Sequence, residues 1–170
     1  MRVIRGLHNL RPEHGGSVAT IGNFDGVHLG HQAVFRALQA EGHRLGVPAT
    51  VITFEPQPLE FFAPERAPSR LTRLREKLGA MHDAGVERVL ILEFGRHLAG
   101  MSAETFIDTL LVERLGVAHL YVGDDFRFGQ GRRGDIAMLR AAGERHGFTV
   151  DSMDTLAIGG ARVSSTRIRE

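Results

Sequence analysis

Five short apolar runs, Ser17–Ile21, Ala49–Phe54, Arg88–Glu93, His119–Val122 and Phe148–Met153, recur along the chain with room for a helix between each neighbouring pair. Runs this short and this continuous suit strands that are covered on both faces. The intervening stretches, Gly30–Arg44, Arg70–Ala84, Ala103–Leu115 and Asp135–His146, carry apolar residues at helical spacing, as at Val34, Leu38 and Leu45. Strand and helix alternating in this way predict βαβ units. The expected fold class is therefore α/β, an open and mostly parallel sheet with right-handed crossovers. A length of 170 residues suits a single domain, 1–170.

Local punctuation agrees with these boundaries. Ser102 and Asp135 stand where the third and fourth helices need an N-cap, and Gly85, Gly116 and Gly147 follow three helices as C-terminal breakers. Glu55–Arg70 holds Pro56, Pro58, Pro64 and Pro68 and is expected to be a long ordered loop, which after a strand is uncommon without a function. In open α/β sheets ligands bind outside the carboxyl ends of the strands, so loops that leave those ends are the ones to inspect.

The formal net charge of +1 gives no overall field for nucleic acid or a membrane, so any anion affinity must be local. With no cysteine there is no disulfide, thiolate zinc site or iron–sulfur cluster. The start of the chain lacks the apolar stretch of a signal peptide, and no run reaches the roughly 20 apolar residues of a membrane span. A cytoplasmic protein is expected. The sequence leaves its oligomeric state open.

The first βα turn reads GNFDGVHLGH, residues 22–31. Glycines at 22, 26 and 30 let backbone N–H groups approach a ligand, and the helix N-terminus adds unpaired donors with partial positive charge. Phosphate is the natural guest. A Walker loop would place lysine and a hydroxyl residue at the helix start, where His31 and Gln32 stand instead. His28 and His31 are three apart, and on one helical turn they can present two ring N–H donors to one anion.

The pattern G-x-F-D-G-x-H-x-G-H resembles the H-x-G-H signature of the nucleotidylyltransferase superfamily. Near the chain's end VSSTRIR, residues 163–169, resembles the I-S-S-T-x-I-R motif of bacterial FAD synthetases. Its three hydroxyls precede a helix start, and Arg167 and Arg169 bring fork donors suited to phosphate oxygens. TFEPQPLEFF at 53–62 and VGDDFRFGQGRRGD at 122–135 look like two further segments of the same family. The four motifs, in order, cover most of the chain. They resemble the adenylyltransferase module of bifunctional riboflavin kinase/FMN adenylyltransferases. That family carries a riboflavin kinase barrel after this module, and the barrel is expected to be absent from residues 1–170.

The resemblance implies a Rossmann-like sheet of the nucleotidylyltransferase type with helices on both faces. It implies an enzyme that joins AMP from ATP to FMN, giving FAD and pyrophosphate with Mg²⁺. His28, His31 and Arg169 are then the expected catalytic residues. Gly22, Asn23, Phe24, Asp25, Gly30, Ser164, Ser165, Thr166 and Arg167 are expected at nucleotide and phosphate, with Asn23 ordering the loop or reaching the nucleotide. Phe54, Pro56, Pro58, Phe62, Asp125 and Phe128 are expected at the flavin. Prolines and phenylalanines make a stiff apolar wall against which a flat ring can stack, although phenylalanine belongs equally in a core. Glu55, Asp124 and Asp125 are the loop carboxylates near these motifs, and the metal ligands stay unassigned.

Two alternatives accompany this reading: a related transferase with another acceptor, of the cytidylyl or pantetheine-phosphate type, and a non-catalytic flavin- or nucleotide-binding module. A further pattern, GQGRRG at 129–134, has the letters of a dinucleotide fingerprint. It follows DDFRF instead of a strand and does not belong to the first βα unit, so it is expected to be a loop with Arg132 or Arg133 near phosphate.

Overall fold

Ser17–Ile21, Ala49–Phe54 and Arg88–Leu92 are buried at every position, the burial of strands covered on both faces. The computed structural model describes residues 1–12, 15–25, 29–67 and 73–153. Among these are strands β1 (Arg2–Arg5), β2 (Ser17–Ile21), β3 (Ala49–Phe54), β4 (Arg88–Leu92), β5 (Val117–Val122) and β6 (Thr149–Ser152). They form one sheet in the order β1-β4-β3-β2-β5-β6, with every neighbouring pair parallel.

The chain leaves β2 towards β3 and β4, then returns through β5 to β6 on the other side of β2. β2 and β5 are paired, with Val18 opposite His119 and Thr20 opposite Tyr121. The order therefore reverses between them, and the crevice at their carboxyl ends is the topological switch point of the sheet.

Helix α1 (Leu29–Leu45) and, beyond α2 (Pro58–Phe62), helix α3 (Leu74–Asp83) cover one face. Val34, Phe35 and Leu38 of α1 and Met81 of α3 pack there on Val18, Ala49, Val51, Val89, Ile91 and Tyr121. The other face carries α4 (Arg96–Ala99), α5 (Ala103–Thr105) with its continuation Phe106–Arg114, and α6 (Ile136–His146). Leu98, Phe106, Leu110, Leu111 and Leu139 pack there on Ala19, Ile21, Ile52, Leu90 and Val122. Successive strand residues thus feed alternate cores, as strand periodicity demands. Among the described residues no helix is long and apolar enough to cross a membrane.

The predicted caps are present. Ser102 Oγ accepts from the Thr105 amide at 3.0 Å and Asp135 Oδ1 from the Met138 amide at 2.9 Å. Gly85, Gly116 and Gly147 follow their helices at φ 87°, 54° and 85°.

The structure also departs from the sequence expectation. β1 was not foreseen, because in RVIR only Ile4 faces inward. The third helix is wound largely as a π-helix over Phe106–Arg114, closed by the Leu115 amide on the Leu110 carbonyl five residues back at 2.9 Å. The described part of the second predicted helix starts at Leu74, with Arg73 extended before it. The expected loop after β3 contains α2, whose Pro58 sits in the first turn, and a 3₁₀ turn at Pro64–Arg66.

Two buried polar ladders tie the central strands. At their amino ends Ser17 Oγ donates to Thr50 Oγ1 at 2.7 Å, and Arg88 Nε donates to the same oxygen at 2.8 Å. The second ladder, at the carboxyl ends, belongs to the site.

Candidate functional site

The chain that leaves β2 is described from Gly22 to Asp25. Gly22 continues the sheet, its amide donating to the Ile52 carbonyl at 3.0 Å. Phe24 then takes a left-handed backbone conformation, φ 51°, which a bulky residue adopts only when its surroundings hold it there. Its ring is 3% exposed and packs on Phe35, centroids 5.3 Å apart, and edge-on against the His31 imidazole at 5.0 Å. A Cβ on Gly22 would lie 3.1 Å from that ring, so glycine gives the phenylalanine its room. Asp25 is buried beside it, 3% exposed, while Asn23 stays exposed.

α1 begins at Leu29, so Gly30 and His31 lie in its first turn, at the positive end of a helix of 17 residues. That turn contains no acidic residue. The partial positive charge of the helix start favours an anion there. His31 is half-buried, and its ring packs edge-on against Phe24.

A residue that the sequence reading passed over holds this turn from behind. The Asn23 carbonyl accepts from Thr53 Oγ1 at 3.2 Å and from Lys77 Nζ at 2.9 Å, and Lys77 Nζ also donates to Thr53 Oγ1 at 3.1 Å. Lys77 comes from α3 and is 1% exposed. Its signal was available: it follows Leu74 by three residues and precedes Met81 by four, the spacing of an inward-facing stripe.

Across the switch point, the chain leaving β5 makes a turn in which the Phe126 amide donates to the Gly123 carbonyl at 3.1 Å. Phe128 and Gly134 then exchange two backbone hydrogen bonds, 3.2 and 2.8 Å, closing a tight loop that contains exposed Arg132 and Arg133. The glycines have packing reasons. A Cβ on Gly129, at φ 78°, would stand 2.6 Å from the Ala103 amide nitrogen, and one on Gly134 would stand 2.5 Å from the Phe128 ring. Tyr121, near the end of β5, has its phenol pKa raised, first by burial and then by the carboxylates of Asp151 and Glu41. It stays protonated at neutral pH.

Beyond the Phe24–Phe35 pair, phenylalanines of the β3 and β5 loops form two groups. Phe54, Phe61 and Phe62 gather on Phe94, with centroids 5.4–5.9 Å apart. Phe128 stacks on Phe126 at 5.5 Å and leans on Phe106 at 5.2 Å. Phe54 and Phe128 are core residues, whereas Phe62 is 61% exposed. Pro56 is exposed, Pro58 half-buried in the first turn of α2, and Asp125 exposed on the β5 loop. His28, Ser164, Ser165, Thr166, Arg167 and Arg169 lie outside the described residues. Among those described, no three His, Asp or Glu side chains gather as they would to hold a metal ion.

Comparison with known proteins adds to this geometry. Residues 10–167 match the family model described as FAD synthetase. The chain is 55% identical over 169 residues to a protein of Pseudomonas fluorescens named bifunctional riboflavin kinase/FMN adenylyltransferase, covering 99% of this chain and 54% of that one. Proteins of the same name match from Escherichia coli K12 at 52% identity and from Haemophilus influenzae at 46%, each covering 100% of this chain and 55% of the relative. The chain thus spans about half the length of the curated relatives it matches. A solved structure from Streptococcus pneumoniae, titled a macrolide-efflux protein, superimposes with a TM-score of 0.77 over 99% of this chain and 55% of that one, at 23% identity. At that identity the likeness shows the fold alone.

Proposed function

The chain belongs to the FAD synthetase family, and from that premise we propose that its 170 residues form one adenylyl-transferring domain that makes FAD from FMN and ATP. A phosphate oxygen of FMN attacks the α-phosphorus of ATP. The bond from that phosphorus to the bridging oxygen breaks, and pyrophosphate leaves with the electron pair. The observation that carries the reading is the meeting, at the β2/β5 switch point, of an acid-free helix N-terminus, His31 and a turn held in a left-handed conformation.

The chemistry asks little covalent work of the protein. Two anions must be held in line and the charge that grows on the α-phosphate must be met by fixed donors. The first turn of α1 offers backbone amides, His31 and His28 offer ring N–H donors, and Ser164, Ser165, Thr166, Arg167 and Arg169 hold the remaining phosphate oxygens. Mg²⁺ bound with ATP would neutralise phosphate charge there, and its protein ligands stay unassigned. The flavin ring lies against the Phe62 side of the Phe54–Phe94 group, with Pro56, Pro58, Asp125 and Phe128 bordering it. A cytoplasmic location belongs to the same proposal and suits a chain without cysteine.

Incubation of this chain with FMN, ATP and Mg²⁺ is expected to release pyrophosphate and FAD in equal amounts. Tight binding of both substrates without pyrophosphate, or a preference for CTP, overturns the proposal. Phe62→Ala removes a ring that the fold barely buries. It is expected to raise KM for FMN several-fold while changing stability by no more than about 0.5 kcal/mol. Steady-state kinetics beside a thermal melt measure both, and an unchanged KM would take Phe62 out of the flavin site.

A further inference from the structure

A lysine ammonium is almost never fully buried unless something in the fold needs it there. Lys77 is 1% exposed, and it reaches the one turn on which the proposed chemistry depends. Three hydrogen bonds form a triangle: Nζ donates to the Asn23 carbonyl and to Thr53 Oγ1, and Thr53 Oγ1 donates to that same carbonyl. One backbone oxygen, next to the left-handed Phe24, is thereby fixed from α3 and from β3 at once.

Packing alone does not call for this arrangement. An apolar side chain of similar length would fill the space without the desolvation of a charge, and such replacements are often neutral or stabilising. What an apolar residue cannot do is donate to the Asn23 carbonyl and to Thr53 Oγ1 at once. We propose that Lys77 is a positioning residue for ATP: it fixes the Asn23 backbone where the chain leaves β2 for α1. This rests on the reading that the turn receives the polyphosphate. Lys77 acts through Asn23 and the turn, with Thr53 as its relay.

The test compares Lys77→Met, Lys77→Arg and Thr53→Val with the unaltered chain in FAD formation, varying ATP and FMN separately. Lys77→Met leaves the Thr53–Asn23 bond in place, so the Asn23 carbonyl keeps one anchor while the Nζ donor is lost. It is expected to reduce kcat/KM for ATP by about tenfold or more, with KM for FMN within about twofold. Lys77→Arg is expected to recover part of the loss and Thr53→Val to fall between. Unchanged ATP kinetics in folded Lys77→Met overturn the inference. So does a loss that falls equally on ATP and FMN, since general loosening has no reason to select the nucleotide. Should Lys77→Met fail to fold, Lys77→Arg and Thr53→Val decide: ATP-selective losses support the inference and unchanged kinetics overturn it. An unaltered chain that makes no FAD defeats the functional reading itself, a result distinct from all of these.

Discussion

His28→Ala and His31→Ala are each expected to slow FAD formation by more than about tenfold, the loss of roughly 1.4 kcal/mol or more of transition-state stabilisation. The argument is one of timing. Charge accumulates on the α-phosphate only as pyrophosphate departs, so a donor aimed there matters more in the transition state than in the bound complex. The loss should therefore fall on kcat more than on the KM for ATP. His31 requires a control, because its ring also packs edge-on against Phe24 at 5.0 Å and its removal leaves space beside a strained turn. A melt of each variant separates the two effects: activity lost beyond any change in the folded fraction is chemical. Full activity in both variants would remove the imidazoles from the mechanism.

The largest effect on stability is expected from Gly143→Ala. Gly143 is buried in α6, and a Cβ placed on it would stand 2.3 Å from the carbonyl oxygen of Phe148, a backbone atom with nowhere to swing. The Gly143 carbonyl is occupied too, accepting from the amides of Gly147 at 2.8 Å and Phe148 at 3.1 Å. The methyl group therefore cannot be relieved without uncapping the helix or pushing away the entry to β6. Overpacking of this kind costs about 3 kcal/mol, which for a domain of this size lowers Tm by roughly 6–12 °C. β6 leads directly into the stretch that carries Arg167 and Arg169, so activity is expected to fall at temperatures where the chain still melts cooperatively. A thermal melt checks the first statement; a Tm within about 2 °C of the unaltered chain would contradict it.

These two substitutions also mark where the sequence was legible. His31 stands in the first turn of α1, where the glycine-rich run placed a helix start, and His28 lies outside the described residues. The strands were legible for the same kind of reason: Ala49–Phe54 and Arg88–Leu92 are buried at every residue and read as apolar runs. β1 was not, since an edge strand with one inward residue leaves no pattern. α2 escaped notice because prolines were read as breakers, when Pro58 in a first turn, with Glu60 Oε1 accepting from the Gln57 amide at 2.8 Å, marks a helix start. Gly143 looks like a weak helix residue until the approach of Phe148 is known.

Lys77 is the instructive omission at the site. A lysine in an amphipathic helix is ordinarily solvated, and only its place on the apolar stripe with Leu74 and Met81 hinted otherwise. Which backbone atom a buried ammonium meets depends on three elements far apart in the chain, and no local pattern encodes that. The phenylalanines show a similar limit. Composition gathered them near two loops, while packing divides them into a group on Phe94 and a group on Phe126 and Phe106.

The central claim is one of place: the polyphosphate of ATP is held at the carboxyl edge of β2 and β5, between the start of α1 and the Ser164–Arg169 stretch. A crystal structure of the chain with a non-hydrolysable ATP analogue and FMN tests it directly. The account predicts the triphosphate within hydrogen-bond distance of His28, His31 and at least one of Arg167 and Arg169. A triphosphate bound instead in the cavity of about 340 Å³ lined by Leu7, His8, Arg96 and His97, beyond the ends of β1 and β4, would contradict it.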